Sequence, residues 1–331
     1  MIMVIGDIHL KINNLSQGKK LIAWLSEAVS IYKPNLVINL GDVFDGHAVI
    51  RAEVVGEYRA FVDCVLSQGA KYIHILGNHE MFAPSDATYH ALQAFKGIHP
   101  NFLVIDSPVK IDNLYFVPYV YNLKNFPGID DFREHPTFSY EKVLNPTLFC
   151  HQTFAGTDFG GYIPHDAIDA ETLPYDQIIS GHVHLRQTFG KVFYPGSPFA
   201  QNAKDIDQIK GIHLIDENIT FIESPLPRWK SSSLEEVLSL EESTDHHVIR
   251  LSGTKAEMTK ILSSPRVEEA RTRLSLRIDI AYTDAEKVLD KIETPTPEIT
   301  INNYIDQIYK GDVDRQLLKM TAKKYLQKVN A

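Results

Sequence analysis

Short apolar runs alternate with helical patterns along the first two thirds of the chain. Leu21, Leu25, Ala28, Val29 and Tyr32 recur at the three- and four-residue spacing of a helix that buries one face. The apolar runs have the length of strands and are bounded by turn residues. They predict strands over Ile2 to Ile5, Leu36 to Leu40, Tyr72 to Leu76, Leu114 to Val117, Thr147 to Cys150 and Gln177 to Ile179. This alternation predicts an α/β fold.

Further strand patterns and a linker end this first region. Positions 193–194, 211–215 and 220–222 are apolar and separated by turn residues, which favours strands of a second sheet. Segment 224–233 then contains two prolines, which cannot donate to a strand ladder, together with four serines. Such a composition is typical of a linker, so we expect the first domain to span residues 1–225.

The rest of the chain predicts two smaller parts. Strand and helical patterns alternate between residues 234 and 293, which indicates a small α+β module. A break with two prolines precedes residues 297–331, where two amphipathic helical patterns flank Gly311. Thr296 and Pro297 are placed to start the first of these helices. We expect residues 297–331 to form a helical hairpin that docks on a partner; packing on the neighbouring module is the alternative.

Composition and charge limit the possible partners. With 331 residues, 44% of them hydrophobic and 23% charged, the chain is globular and long enough for two domains. Residues 1–220 hold 16 Lys and Arg against 24 Asp and Glu, a balance of −8. Such a domain repels DNA unless metal ions or a partner protein supply positive charge. No apolar run approaches a membrane span and no signal peptide is evident, so a cytoplasmic protein without membrane contact is expected.

Polar residues follow five of the predicted strands. The segments are Asp7-Ile8-His9, Gly41-Asp42-Val43-Phe44-Asp45, Gly77-Asn78-His79-Glu80, His151 and Gly181-His182-Val183-His184. Ligand sites in open α/β sheets collect outside the carboxyl ends of strands, and a mixed nitrogen and oxygen donor set suits Mn, Fe or Zn. The five segments together predict a two-metal site. Taken singly, each segment has a plainer interpretation as a helix cap or a structural histidine. We expect a structural role for the nine other histidines, His47 included.

These motifs resemble the signature of the calcineurin-like metallophosphoesterases. Within that superfamily the chain is most similar to SbcD-type nuclease subunits of double-strand-break repair complexes, in the compact form of phage-encoded members. The narrower resemblance depends on Gly41 to Asp45, on Tyr194-Pro195-Gly196-Ser197-Pro198 and on a C-terminal extension of about one hundred residues. It implies two packed mixed β-sheets flanked by helices and a small α+β capping module, to which the residue pattern adds the C-terminal helical hairpin.

The resemblance also implies a role for each site residue. The first ion takes Asp7, His9, Asp42 and His184, and the second takes Asp42, Asn78, His151 and His182. Asp42 would therefore bridge the two ions. His79 is expected to donate a proton to the departing oxygen, and Asp45 to orient His79; helix capping is the alternative role for Asp45.

One departure bears on the substrate. Nuclease members usually have Asp where this chain has Glu80, which is the form common in protein Ser/Thr phosphatases. Those phosphatases, however, carry a phosphate-gripping arginine where this chain has Gly46. Without that guanidinium fork a doubly charged monoester is poorly held, which favours a phosphodiester substrate.

The function implied is a metal-dependent DNA phosphodiesterase. It would act as a 3′ to 5′ exonuclease on double strands and an endonuclease on single strands, in DNA recombination, repair or degradation. Two Mn²⁺ ions, or other divalent transition metals, are the expected cofactors. DNA and an SbcC-type coiled-coil ATPase are the expected partners, with a homodimer inside a heterotetramer. A phosphatase or small-nucleotide phosphodiesterase of the same fold, and a catalytically silent scaffold subunit, are the alternatives.

Overall fold

The computed structural model describes residues 1–47, 49–140, 145–164, 167–283 and 314–329, together with Ile301 and Ile305. The helices are α1 Leu15–Tyr32, α2 Ala52–Ser67, α3 Leu234–Ser239, α4 Lys255–Leu262, α5 Pro265–Arg273 and α6 Arg315–Val329. The strands are β1 Ile2–Ile5, β2 Leu36–Asn39, β3 Lys71–Ile75, β4 Met81–Ala83, β5 Asp86–His90, β6 Phe102–Ile105, β7 Val109–Ile111, β8 Leu114–Val117, β9 Arg133–Glu134, β10 Thr147–His151, β11 Gln177–Gly181, β12 Gln187–Phe189, β13 Val192–Tyr194, β14 Gly211–Ile215, β15 Ile219–Glu223, β16 Trp229–Ser231, β17 His246–Gly253 and β18 Ser275–Tyr282.

The first large sheet has the strand order β15-β14-β1-β2-β3-β6. Strands β1, β2, β3 and β6 run parallel, and β14 pairs antiparallel with β1. One face packs against α1 and α2, where Met3 and Val37 of the sheet meet Leu25 and Phe61 of the helices in one buried cluster. The other face is equally apolar, which explains why β1 and β2 read as continuous rather than alternating hydrophobic runs.

The second large sheet has the order β12-β13-β11-β10-β8-β7-β9. Its central strands β8, β10, β11 and β13 are parallel. Phe116, Phe149 and Ile179 on one face join Ile38 and Ile73 of the first sheet in a shared core, so the two sheets pack face to face. The expectation of two packed mixed sheets flanked by helices is confirmed.

The assignment of the later strands to a second sheet was wrong in part. Strand β13 joins the second sheet, but β14 and β15 add antiparallel to β1 and extend the first. Chain order does not decide sheet membership here because β14 returns across the molecule to the free edge of β1. All five residues of β14 are buried, as expected of a strand with a neighbour on each side.

The C-terminal part contains a smaller sheet of order β16-β17-β18, with α3, α4 and α5. By internal contacts the chain divides into one unit of residues 1–250 with 265–279 and another of 251–264 with 280–331. The helix predicted over 284–292 and most of the first helix of the predicted hairpin lie outside the described residues, whereas the second is α6. None of the described helices is long and apolar enough to cross a membrane.

Candidate metal centre

The polar segments lie where the carboxyl ends of the two sheets meet. Asp7 and His9 follow β1, Asp42 follows β2, and Asn78 follows β3, three neighbouring parallel strands of the first sheet. His151 is the last residue of β10, and His182 and His184 follow its parallel neighbour β11 in the second sheet. Parallel strands end on the same side of a sheet, and the face-to-face packing brings both ends together. The structure thus gathers all seven predicted ligands in one place.

A first cluster consists of Asp7, His9 and His184. One ligand atom from each lies within 4.8 Å of the others. The Nε2 atoms of His9 and His184 are 3.1 Å apart. Oδ1 of Asp7 accepts a hydrogen bond from the backbone N–H of His182 at 2.8 Å, while its buried Oδ2 has no hydrogen-bond partner among the described residues.

A second cluster consists of Asp42, His151 and His182, again with ligand atoms within 4.8 Å of one another. The Oδ1 atom of Asn78 joins it, 2.9 Å from Nδ1 of His182 and 3.1 Å from Nε2 of His151. Asp42 connects the two clusters, because its Oδ2 lies 3.2 Å from Nε2 of His151 and 3.7 Å from Nε2 of His9. This is the place a bridging carboxylate would occupy.

The donor set fits two divalent metal ions. In the second cluster, four donor pairs are separated by 2.9 to 3.2 Å. Ligands at about 2.1 Å from a common octahedral ion are about 3.0 Å apart, which agrees with those separations. The unpartnered Oδ2 of Asp7 is the kind of buried acceptor that otherwise costs free energy. Imidazoles, carboxylates and an amide oxygen suit a transition metal better than calcium.

The backbone is strained at three of these residues. His9, Asp42 and His182 have φ values of 48°, 53° and 78°, in the left-handed region that non-glycine residues rarely adopt. Such conformations cost about 1–3 kcal/mol each and persist where the surrounding structure enforces them. They turn the three side chains from their strands toward the shared centre, so local stability is lost in favour of ligand placement.

Glycines clear the space around the ligands. A Cβ atom on Gly77 would lie 2.2 Å from Oδ1 of Asp42, and one on Gly41, where φ is 107°, would lie 2.6 Å from Nδ1 of His151. No side chain fits at either position. The close approach of backbone to ligand, as much as the turn itself, requires glycine here.

The histidines of the centre differ in their protonation. Burial and the nearby His151 lower the pKa of His182 to about 3, and burial together with His9 holds the pKa of His184 well below its usual value. Burial also disfavours the charged form of His151, but the carboxylates of Asp42 and Asp7 outweigh it and raise its pKa to about 9. In the metal-free chain at neutral pH the His151 ring is therefore protonated and positively charged, whereas the His182 and His184 rings are neutral.

His79 lies at the edge of the two clusters. Its backbone N–H donates to Oδ1 of Asp42 at 2.8 Å, and its Nδ1 is 3.0 Å from the carbonyl oxygen of Asp45. Because a carbonyl only accepts, Nδ1 carries the hydrogen and Nε2 is left for other chemistry. Its ring meets His9 edge-on at 4.6 Å, and burial lowers the pKa of His79.

Asp45 is placed differently from the expectation. Its carboxylate Oδ1 lies 3.3 Å from Nδ1 of His9 and 3.2 Å from Nζ of Lys11, and only its backbone carbonyl contacts His79. Contact with His9 and Lys11 lowers the pKa of Asp45 to about 2. The side chain turns toward β1 because Leu10 and Phe44 form a bridge that aligns the two loops. The Asp45 carboxylate is thus a close neighbour of His9, where carboxylates commonly stand beside metal-bound imidazoles, although the pair lacks the angle of a hydrogen bond. One possible ligand atom from each of His9, Asp45 and His79 also lies within 4.8 Å of the others, but this group shares His9 with the first cluster.

Glu80 has a structural role that sequence reasoning missed. Its buried carboxylate accepts hydrogen bonds from the backbone N–H groups of Asp42, Val43, Phe44 and Gly77 at 2.5 to 3.1 Å. It thereby ties the loop that carries Asp42 to the loop that carries Asn78. The sequence marked Glu80 only as a departure from the nuclease pattern, and its spacing gave no sign of these distant partners.

Two further supports and one neighbour were also missed. Nζ of the buried Lys210 donates to the carbonyl of His184 at 2.7 Å and pairs with Asp205 at 2.7 Å. The side chain of Gln201 donates to the carbonyl of Asp7 at 3.0 Å. His47, expected to be structural, stacks on His79 with ring centroids 4.6 Å apart. Of these residues, only His47 could have been suspected from the sequence, since it lies two residues after the segment from Gly41 to Asp45.

Comparison with known proteins agrees with this geometry. The sequence profile described as calcineurin-like phosphoesterase matches residues 1–186. The chain is 24% identical over 254 residues to the DNA double-strand break repair protein Mre11 of Nanoarchaeum equitans strain Kin4-M, covering 67% of this chain and 68% of that protein. It is 23% identical over 223 residues to exonuclease subunit 1 of Enterobacteria phage T4, covering 65% of this chain and 64% of that protein.

Proposed function

The chain belongs to the calcineurin-like phosphoesterase family, and we propose that within it this protein is a two-metal DNA nuclease. The cluster of Asp7, Asp42, Asn78, His151 and His182 with their neighbours supports hydrolysis of a phosphoester. The two relatives, a DNA double-strand break repair protein and an exonuclease subunit, support DNA as the substrate. The finer activities proposed are 3′ to 5′ cleavage of double strands and internal cleavage of single strands, in recombination, repair or degradation.

Gly46 supports a diester over a monoester substrate. A Cβ atom at this position would lie 2.8 Å from the carbonyl oxygen of Val49, so the loop leaves no room for the arginine that phosphatases place there. A monoester carries about two negative charges, which a guanidinium fork recognises well, whereas a diester carries one. The loop after Asp45 therefore has no guanidinium group at position 46 to recognise a monoester.

The proposed metal ligands are the seven named from the sequence. Asp7, His9, Asp42 and His184 would hold one ion, and Asp42, Asn78, His151 and His182 the other. Paired divalent ions supply positive charge that activates the attacking water and stabilises the displaced oxygen. We favour Mn²⁺ because four imidazoles suit it better than Mg²⁺, which prefers oxygen ligands and keeps its waters.

The protein residues around the centre divide the remaining work. His79 has its Nδ1–H held by the carbonyl of Asp45, so it would first take up a proton at Nε2 and then, as the imidazolium, deliver that proton to the departing oxygen and return to the neutral form. The Asp45 carboxylate places negative charge 3.3 Å from Nδ1 of His9, and Glu80 fixes the loop of Asp42. These positioning residues keep the ligands within the narrow geometry that an in-line displacement requires.

DNA and an SbcC-type coiled-coil ATPase are the proposed partners, with a homodimer inside a heterotetramer and action in the cytoplasm of a bacterial or phage-infected cell. Helix α6 supports a docking role for residues 297–331, because Leu317 and Met320 are 58% and 71% exposed. An apolar helix face of this kind suits a helix-in-groove contact. Domain limits of 1–225, 234–293 and 297–331 remain part of this proposal.

A substrate comparison tests the proposal. Purified protein with Mn²⁺ should hydrolyse bis(p-nitrophenyl) phosphate, a diester, and labelled DNA, while p-nitrophenyl phosphate, a monoester, should be turned over far more slowly. Faster cleavage of the monoester than of either diester would support a phosphatase instead. Failure to bind Mn²⁺ or to cleave any ester would support a silent scaffold.

A further inference from the structure

A cavity of about 300 Å³ opens directly beside the candidate metal centre. His182 and His184 form one wall, Phe159 and Gly160 form a second, and the turn from Asn202 to Gln208 contributes a third. Because His182 and His184 belong to different ligand clusters, the cavity adjoins both proposed ion sites. Any substrate whose phosphate binds at the centre has its adjacent group within reach of this space.

We propose that the cavity holds the sugar and base of the nucleotide next to the scissile phosphate, with the base stacked on Phe159. This inference rests on the proposed nuclease function and deepens it, since it specifies that this nucleotide is unpaired. A base inside a duplex stack cannot enter such a pocket until it leaves the stack. Single strands, ends and distorted sites are therefore the preferred substrates.

The Phe159 ring is exposed and yet held in place. It is 41% exposed, although large apolar side chains are usually buried, and its centroid lies 6.2 Å from the His182 ring. Asp158 anchors the loop, since it exchanges two hydrogen bonds with the Gln187 side chain at 2.9 and 2.7 Å. An exposed ring on a fixed loop beside a catalytic centre is suited to stack on a substrate group.

The loop beyond Phe159 is fixed as well. Oδ1 of Asp158 accepts hydrogen bonds from the N–H groups of Gly160 and Gly161 at 2.8 and 2.6 Å, and the N–H of Phe159 donates to the carbonyl of Tyr162 at 2.9 Å. Both glycines have positive φ values, 86° and 99°, so the chain makes a tight turn there. The ring therefore needs little ordering when a base arrives, which favours affinity.

The opposite wall offers polar groups that suit a base edge and a phosphate. Oε1 of Gln208 is buried and has no hydrogen-bond partner among the described residues, although its Nε2 donates to the carbonyl of Lys204. An unsatisfied buried acceptor costs free energy, and rotation of the Gln208 amide toward the cavity would let this oxygen accept a hydrogen bond from an N–H on a base edge. Asn202 and Lys204 also line the cavity, and the Lys204 ammonium suits a backbone phosphate.

This arrangement predicts little discrimination between the four bases. Stacking on an aromatic ring depends on the π-face that every base has, and one amide oxygen is a weak reader of sequence. Removal of the base should lower the rate of cleavage far more than exchange of one base for another. Such a pocket suits a nuclease that degrades DNA of any sequence.

A double-mutant cycle between the ring and the base tests the inference. The substrates are a labelled single-stranded oligonucleotide and the same strand with one abasic residue, both cleaved by full-length protein with Mn²⁺. For the natural protein, the abasic residue should lower kcat/KM at one adjacent phosphate by about 5- to 100-fold, the range expected for one stacked base. For Phe159→Ala, kcat/KM on intact DNA should fall by a similar factor, mainly through KM, and the abasic residue should change it less than about 3-fold.

Matched variants complete the test. Phe159→Trp should restore the preference for an intact base. Ile219→Ala removes another exposed apolar side chain, on β15, whose partner Ile215 pairs with Ile2 at the start of β1, away from Asp7. That variant should behave as the natural protein does. Calorimetry should show that Phe159→Ala still binds two Mn²⁺ ions.

Three results would overturn the inference. In the first, the abasic residue lowers kcat/KM equally in the natural protein and in Phe159→Ala. In the second, it does not lower kcat/KM in the natural protein. In the third, Phe159→Ala loses Mn²⁺ binding, which would make the ring a support for His182. Failure of the proposed function is a different result, because the natural protein would then leave intact DNA uncleaved with Mn²⁺.

Discussion

His79 carries the proton transfer in the proposed reaction, and its contacts separate it from the ligands. Its Nδ1 is held by a carbonyl, so replacement by alanine should leave the two clusters nearly intact. We expect His79→Ala to lower the rate of DNA cleavage by roughly 10²- to 10⁴-fold, the usual contribution of a positioned acid or base. Single-turnover rates at saturating Mn²⁺, with metal binding measured by calorimetry, check this.

The matched variant is His182→Ala, which should instead lose one ion. If His79→Ala lost metal binding and kept the natural rate at saturating metal, the two roles would be assigned the wrong way round.

Glu80 supports the centre through backbone hydrogen bonds rather than chemistry. Glu80→Ala would leave the buried N–H groups of Asp42, Val43, Phe44 and Gly77 without their acceptor. We expect this substitution to lower the free energy of unfolding by about 2–5 kcal/mol, since each buried unsatisfied group costs about 1–3 kcal/mol and water will satisfy some. Urea denaturation of the metal-free protein measures it, with Glu53→Ala at the exposed start of α2 as control, where a much smaller change is expected. Equal stability of the two variants would contradict the role given to Glu80.

His151 makes metal binding depend on pH. Its pKa of about 9 in the metal-free chain means that it is protonated at pH 7.5, and Nε2 must lose that proton to bind an ion. Mn²⁺ affinity should therefore rise about tenfold per pH unit up to about pH 9 and level off above it. Calorimetry at pH 7.5 in two buffers of different ionisation enthalpy should show release of about one proton. Binding without proton release would contradict the protonation state of His151.

At the residue scale, the sequence predicted which polar residues the structure brings together, but not the side chains that support them. The seven ligands share one visible rule, a polar residue directly after an apolar strand, and the structure brings all seven together. Asp45 shared that setting, but the direction of its carboxylate depends on the bridge between Leu10 and Phe44, which no spacing shows. Glu80 and Lys210 act on backbone groups of distant loops, so their partners become visible only in three dimensions.

At the scale of elements, strand identity was predicted better than strand partnership. The bounds of β1 and β8 agree with the apolar runs, because both strands are buried on both faces and read as continuous hydrophobic segments. Strands β14 and β15 were recognised and assigned to the wrong sheet. A hydrophobic pattern indicates which residues are buried, but not which strand lies beside which. The edge of β1 could therefore pair with an antiparallel strand from any part of the chain.

The predicted C-terminal hairpin, residues 297–331, is the segment on which the proposed partner depends. Truncation before Thr294 should leave the Mn²⁺-dependent cleavage of short single strands unchanged, because every proposed ligand precedes residue 185. It should also leave the melting temperature of the catalytic domain unchanged, because residues 280–331 belong to a different unit by internal contacts. Pull-down of the SbcC-type ATPase and its ATP-dependent stimulation of cleavage should disappear. Full burial of a large apolar anchor such as Leu317 contributes roughly 1.5–3 kcal/mol, so loss of several anchors removes the contact. Retained complex formation, or collapse of the whole fold, would contradict this role.

At the scale of the whole molecule, charge and site must be considered together. Residues 1–220 carry a balance of −8, and two divalent ions would add +4, so the isolated chain offers DNA a weak overall attraction. Affinity then depends on local contacts at the centre and in the neighbouring cavity, and on a partner that supplies further phosphate contacts. This explains how an acidic chain can act on DNA.

Metal-dependent cleavage of DNA by the purified chain tests the central claim most directly. Labelled single-stranded and duplex DNA would be incubated with the natural protein and with His182→Ala, with Mn²⁺, with Mg²⁺ and with a chelator. We predict cleavage by the natural protein with Mn²⁺, little with Mg²⁺, none with chelator, and a large loss in His182→Ala. Equal turnover with the two metals would contradict the ligand assignment, and intact DNA in every lane, with Mn²⁺ bound, would contradict the proposed function.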